Sequence, residues 1–596
     1  MTTKRRKART IAVAAATTTV AAAAAVLLVT NIGYAATTES MTVNLASVTG
    51  TSTGVGQGLL YGVSQDATQP ASRFIQPLRL NAFRGGGHAS RGWIGDSYVY
   101  GTGTKADVTE AIAQAKRLSS LSPSGIQYQF ILSDVYGADG GQPSTTTWPC
   151  TNGNCSNWIT FIDSVVTPLQ NSGYTFAYDI WNEPDISAFW PNASVNSTQY
   201  FQMWDAAVKE IRRIAPTATI VGPSFAYTPS ARASQWNTFL AHVKSAGTVP
   251  DWITNHTEGD TDDPVTVGNA VSTALSSNGI SSRPLSANEY QPSGRQTAGV
   301  TAWYLARFAQ SKYTNAMRGN WSCCTTPNLT GLLSSDGLTT TGNWWAMRSY
   351  ADMTGSLVAT SNQVNTTAIS ASIDSSAKRA VAIVGDQNGY TGTATVTFSG
   401  LSSTAWLANN GKVNVVVDRI PDQSSLSAPQ VVYNSNLSTS SGSVSVSFTF
   451  SSSHDAFAVY LTPGGRSGAL TNSASGRCLD VPQANQTAAT QLDIWDCNSQ
   501  SNQLWHLTAA SELRTFNDTA CLDANNSGTT SGTKAIIWPC SGQTNQKWTL
   551  NSNGTISSTQ SGLCLATNSA GTADGTLVEL DTCTGQTSQQ WSLPNS

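Results

Sequence analysis

Residues 176–185 read Phe176-Ala177-Tyr178-Asp179-Ile180-Trp181-Asn182-Glu183-Pro184-Asp185. The first five, rich in apolar and aromatic side chains, make a short strand, and Pro184, pre-set for the first turn of a helix, closes it. A strand running straight into a helix start is half of a βα unit, and the same alternation extends in both directions. Strand candidates begin near Leu59, Leu80, Gln127, Phe176, Thr219, Asp251, Leu285 and Ala316. Helical patterns separate them. After the fourth strand, Tyr200, Trp204, Val208 and Ile211 recur at three- to four-residue spacing, which is one buried face. Eight units over residues 58–355 predict a (β/α)8 barrel of the TIM type.

Downstream the period changes. Residues 356–462 alternate in the strand manner, as in Ala380–Gly385, Val413–Val417, Val444–Phe448 and Phe457–Leu461, with turns at Asn388-Gly389 and Asn410-Gly411. This predicts an accessory β-sandwich, which the Thr/Ser/Gly-rich N-terminal segment 36–57 is expected to join. Pro463-Gly464-Gly465 forms a short hinge within a linker, 463–466. From 467 to 596 the chain repeats. Cys478, Cys521 and Cys564 recur every 43 residues, and so do Trp505, Trp548 and Trp591. Each repeat ends in Gln-x-Trp, and short strands repeated three times must stack on one another to share a core.

In a barrel of this type the reacting groups sit at the carboxyl ends of the strands. The fourth strand delivers Asn182 and Glu183 there, and the seventh, Pro284-Leu285-Ser286-Ala287, runs into Asn288 and Glu289. Two glutamates facing each other across the mouth are what cleavage of a glycosidic bond requires. One protonates the leaving oxygen and the other attacks the anomeric carbon, with the carboxyl groups about 5–5.5 Å apart when configuration is retained. Asn-Glu-Pro alone is also an ordinary helix start, so the second strand-end glutamate carries much of the inference. Glu258, after the sixth strand in Asn255-His256-Thr257-Glu258, is the rival for that second role.

The run 176–185 resembles the acid/base signature of the β-xylosidase/α-L-iduronidase family (family 39) of retaining glycosidases in clan A. Tyr178 and Asp179 stand where Phe and Glu are usual. The resemblance implies Glu183 as acid/base, Glu289 as nucleophile and Asn182 as a donor to the substrate 2-hydroxyl. It also implies a place near the nucleophile for His256, whose alternative is a structural histidine. Arg84, in Phe83-Arg84-Gly85-Gly86-Gly87, is a candidate partner of the nucleophile or of a sugar hydroxyl. Asp134, Trp321 and Trp344 are further candidates at the rim, although Trp344-Trp345 also fits helix packing.

The three C-terminal repeats resemble ricin-B-type β-trefoil lectin modules. Position by position, the resemblance assigns sugar binding to Asp480, Trp495, Asn502 and Gln503 in the first repeat. In the second it assigns Asp523, Trp538, Asn545 and Gln546. In the third, Ala566, Asp581 and Ser588 replace the acid, the aromatic and the amide, so two working sites and a silent third are expected. The Gln-x-Trp tryptophans are assigned to the core.

Composition bounds the rest. Charged residues are 11 % of the chain and the net charge is −3, so neither nucleic acid nor an anionic membrane is an expected partner. Residues 1–35 read as a signal peptide, with Lys4, Arg5, Arg6, Lys7 and Arg9 ahead of an apolar run and Gly33-Tyr34-Ala35 at the cleavage site. An uncleaved anchor is the alternative. The ten cysteines fall into the local pairs Cys150/Cys155, Cys323/Cys324, Cys478/Cys497, Cys521/Cys540 and Cys564/Cys583. In an exported chain these read as disulfides. Every other cysteine has a better local partner, so Cys323 and Cys324 are expected to form a vicinal disulfide at the pocket, against two free thiols.

The combined expectation is a secreted, monomeric, retaining glycosidase that needs no cofactor and no metal. Its substrates would be plant or gum polysaccharides or oligosaccharides with xylosidic, arabinosidic or galactosidic bonds, to which the lectin module targets it. No membrane partner is expected once the signal is removed. An endo-acting clan A glycanase is one alternative, and a carbohydrate-binding protein with an inactive barrel is the other.

Overall fold

The computed structural model describes residues 38–86, 102–132, 148–319, 327–387 and 389–594. The segment 1–35 expected to be a signal peptide, Asp134, Trp321 and the Cys323/Cys324 pair lie outside the described residues.

Eight parallel strands close into a barrel: Gly58–Leu60, Ala82–Gly86, Gln127–Ile131, Phe176–Asp179, Thr219–Phe225, Trp252–Thr257, Leu285–Tyr290 and Tyr313–Arg318. They agree with the sequence expectation to within three residues. The largest shift is the eighth, which starts at Tyr313 rather than Ala316. The helix Thr198–Ile214 buries Tyr200, Trp204, Val208 and Ile211 as its period requires, and Ser197 caps it by accepting from the Tyr200 N–H. Trp344 and Trp345, one of them a rim candidate, are instead buried in the helix Gly342–Ala351, where their indole N–H groups donate to the carbonyls of Phe74 and Leu426.

The sandwich is nine strands hydrogen-bonded in one unbroken order around a core that includes Val43, Val384, Phe398, Val417, Phe448 and Phe457. The N-terminal strand Glu39–Thr51 sits inside it, antiparallel to Ser356–Ser361 and parallel to Gly392–Ser399. Chain order therefore threads the barrel through the sandwich. The two domains meet closely. Gly385 lies against the helix Ala298–Ala309, where an added Cβ would come within 2.2 Å of the Trp303 nitrogen, so no larger residue fits there. Asn410 and Gly411 both take left-handed backbone in the tight turn between Asn409 and Lys412.

The third body is the trefoil, whose three repeats superimpose in hydrogen bonding as well as in sequence. The indoles of Trp505, Trp548 and Trp591 are buried and donate to the carbonyls of Leu479, Leu522 and Leu565 respectively. Disulfides join Cys478–Cys497, Cys521–Cys540 and Cys564–Cys583, and a fourth joins Cys150–Cys155 in the barrel. Pro463-Gly464-Gly465, expected as a hinge, is a packed connection. The Asn409 amide donates to the Gly464 carbonyl at 2.6 Å, and Asn436 brackets Gly465 from both sides. Ser501 and Pro429, Arg348 and Gln486, and Asn517 and Asp418 further tie the trefoil to its neighbours. The lectin repeats are thereby held at a fixed place relative to the barrel.

Candidate active site

Strands two, four, five, six and seven converge on one charged cluster at the carboxyl end of the barrel. Its centre is Arg84, on strand two and fully buried. Its Nη1 donates to Glu289 Oε1 at 2.5 Å, its Nε to Asp179 Oδ2 at 2.9 Å and its Nη2 to Asn182 Oδ1 at 2.8 Å. Burial alone would make this guanidinium less basic, but the Asp179 and Glu289 carboxylates outweigh it and raise its pKa. Asp179 is held in turn by Ser224 Oγ at 2.6 Å and Asn288 Nδ2 at 3.0 Å.

Glu183 emerges just past strand four in a left-handed backbone conformation, φ +43°. Its N–H donates to the carbonyl of Ser224, itself left-handed at φ +53°, so two strained turns lock together. Glu289 lies within strand seven. Its lateral neighbour on strand six is His256, paired with it after a register shift that leaves Asn288 as the extra residue on strand seven. His256 Nδ1 is 2.8 Å from Glu183 Oε1 and its Nε2 is 3.7 Å from Glu289 Oε1. Burial lowers the pKa of this histidine, which favours the neutral ring.

Of the residues singled out in the sequence, Glu183, Glu289, Asn182, His256 and Arg84 come together here. Glu258, the rival, joins them. The carboxylates of Glu183, Glu258 and Glu289 and the His256 ring offer atoms that all lie within 4.8 Å of one another. A donor set of this kind could hold a divalent cation, but Arg84 already occupies Glu289, which weakens the case for a second positive charge. Asp179, Ser224, Thr254 and Asn288 were missed. Asp179 carried one faint signal: an acid at the end of an otherwise apolar strand.

In the trefoil, Asp480 Oδ1 accepts from Asn502 at 2.6 Å and from Gln503 at 2.9 Å. Asp523 Oδ2 accepts from Asn545 at 2.8 Å and from Gln546 at 2.9 Å. The strand paired with each acid's strand ends in an open indole, Trp495 at 46 % and Trp538 at 43 % exposed. Burial pushes the Asp480 carboxyl up to about 6, and that of Asp523 moves in the same direction. In the third repeat Ala566 faces Glu579 across the strands, and Asp581 stands at the aromatic position.

A (β/α)8 barrel with carboxylates clustered at its mouth, joined to a sandwich and a trefoil, has the build of a glycoside hydrolase with an attached lectin. Residues 170–280 match the model of glycosyl hydrolases family 39, and residues 466–591 match the ricin-type beta-trefoil lectin domain. The chain thus carries a family 39-like glycosyl hydrolase barrel fused to a ricin-type lectin domain. The first match takes in Glu183, His256 and Glu258 and ends before Glu289. A beta-xylosidase of Geobacillus stearothermophilus is 25 % identical over 83 residues, 14 % of this chain and 15 % of that protein. Among solved structures, N2152 from Neocallimastix frontalis superimposes with a TM-score of 0.58 at 24 % identity, over 72 % of this chain and all of that one. A monomeric beta-xylosidase from Caulobacter crescentus gives 0.50 at 15 % identity, over 71 % of this chain and 99 % of that one. At these identities the likeness is one of fold.

Proposed function

We propose that the protein is a secreted retaining glycosidase, with Glu289 as nucleophile and Glu183 as acid/base, acting on polysaccharide or oligosaccharide held nearby by its lectin sites. The observation that carries this reading is the approach of the two carboxylates, whose nearest oxygens lie within 4.8 Å. That falls short of the spacing of about 6.5–9.5 Å that leaves room for an attacking water and lies on the side of the spacing of about 5–5.5 Å used by retaining enzymes. Arg84 on Glu289 supports the nucleophile role, because a cation donor keeps a carboxylate ionised and aimed. Glu183 meets a neutral imidazole instead, a fitting neighbour for a group that must give and take a proton. The family 39 match and the two beta-xylosidases point to β-xylosides as the first substrates to try, ahead of arabinosides and galactosides. The four disulfides among the described residues fit an oxidising compartment. No helix among them is long and apolar enough to cross a membrane.

The test is hydrolysis of a panel of p-nitrophenyl glycosides, xylan and arabinogalactan, with the anomer of the first product read by NMR. Retained configuration supports the reading, and inverted configuration overturns it. Long oligosaccharide products would favour endo action, and binding without any cleavage would favour a lectin on an inactive barrel. Glu183→Ala is expected to lower kcat/KM by about 100- to 10,000-fold on substrates with poor leaving groups. The loss on activated aryl glycosides should be much smaller, because their leaving groups need no proton.

Lectin binding is tested separately. In affinity electrophoresis the pair Asp480→Ala and Asp523→Ala should abolish retention by the polysaccharide that retards wild type. Each single change should weaken it by roughly tenfold or more, since one site then acts without the other. Hydrolysis of small aryl glycosides should persist in both.

A further inference from the structure

Of the three glutamates in the cluster, Glu258 alone is given no task by the proposed mechanism. It follows Thr257, the last residue of strand six, and so comes out at the barrel mouth. Its backbone is pinned, because Asp262 accepts from its N–H and from that of Gly259. Its carboxyl lies beside that of Glu289, within 4.8 Å. Two carboxylates can only accept and repel each other as anions, so their contact is favourable only when one of the pair carries a proton. Arg84 donates to Glu289 at 2.5 Å, which favours the ionised form there and assigns the proton to Glu258. Burial, together with the nearby Glu289 and Glu183, raises the pKa of Glu258 well above the usual range, in agreement. The second observation is that Glu258 Oε1 is buried and accepts from no donor, inside the cluster of Glu183, His256 and Glu289. A buried carboxylate oxygen without a donor is costly as an anion and less so when its own group carries the proton.

We infer that Glu258 is a neutral carboxylic acid that positions the nucleophile, donating its proton to Glu289. This rests on the proposed role of Glu289. No bond to Glu258 forms or breaks. When Glu289 attacks the anomeric carbon its charge is consumed in the ester, and the Glu258 proton then faces an ester oxygen instead of a carboxylate. When water hydrolyses the ester, the carboxylate and the stronger hydrogen bond return together. Glu258 thereby favours departure of the sugar.

The experiment compares wild type, Glu258→Gln, Glu258→Ala and Glu289→Ala on the aryl glycoside that wild type cleaves best. An amide still donates and is still neutral, so Glu258→Gln should stay within about tenfold of wild type. Glu258→Ala should lose about 100-fold, the kinetic equivalent of hydrogen bonds to charged groups, mostly in kcat. Infrared difference spectra at pH 7 should show a protonated-carboxyl stretch in wild type that is missing in Glu258→Gln. Glu258→Gln as inactive as Glu258→Ala, Glu258→Ala as active as wild type, or no such band would each overturn the inference. Trapping with an activated 2-deoxy-2-fluoro glycoside separates the two readings. Label on the Glu289 peptide supports both, and label on the Glu258 peptide overturns both. If wild type neither cleaves nor labels, the glycosidase reading fails, while the infrared band still decides the protonation of Glu258.

Discussion

Glu289→Ala is expected to cut kcat/KM on every substrate by at least about 10,000-fold, because the covalent route disappears with its nucleophile. The fold should survive. Arg84 keeps Asp179 as its partner after the change, so no buried charge is left alone, and the melting curve should move little. Added azide should restore turnover on an aryl glycoside and give a glycosyl azide of inverted configuration, since the small anion enters where the carboxylate was. Residual activity within tenfold of wild type would move the nucleophile elsewhere, with Glu258 next in line. The same variant should still bind polysaccharide through the trefoil, so loss of catalysis with retained binding separates the two functions in one protein.

Arg84→Met is expected to be the most damaging single change to stability in the barrel. The guanidinium is fully buried and bonded to two carboxylates, and methionine supplies similar bulk without charge. Breaking one side of such a pair usually costs about 3–5 kcal/mol, because the partners stay buried and uncompensated. The deficit should shrink as pH falls, because an unpaired buried carboxylate takes up a proton. Thermal melts at pH 5 and pH 8 read this directly. Adding Asp179→Asn to Arg84→Met should recover much of the lost stability without recovering activity, because Glu289 would still lack the donor that holds it ionised. A double variant as unstable as the single one would mean that Arg84 acts mainly through packing.

Both predictions turn on contacts of different legibility. Glu183 and Glu289 stood out because the first comes just past a short apolar strand and the second near the end of one, a pattern only a few residues long. Arg84 was readable as a strand-end cation, but its partner remained open between nucleophile and sugar. Closure of the barrel settles that choice by bringing strand two beside strands four and seven. The lectin candidates came from the resemblance of the repeats to ricin-B-type modules, and the structure brings Asp480 together with Asn502 and Gln503, and Asp523 with Asn545 and Gln546. Glu258 was visible only as a competitor of Glu289. Their carboxylates come together only when strands six and seven pair in the closed barrel, and that pairing leaves no reliable mark on composition or period.

What the sequence by itself determined was the set of parts: eight βα units, a sandwich, a threefold repeat, and two glutamates at strand ends. Backbone hydrogen bonding imposes periods of 2 and about 3.6 residues on buried side chains, and those periods are local enough to read along the chain. The tertiary structure alone decided that the N-terminal strand completes the sandwich, that Pro463–Gly465 is packed, and that Arg84, Asp179, Glu183, Glu258 and Glu289 share one field. Charges placed far apart in the chain interact only across the few ångströms that barrel closure creates, and no local pattern encodes that distance.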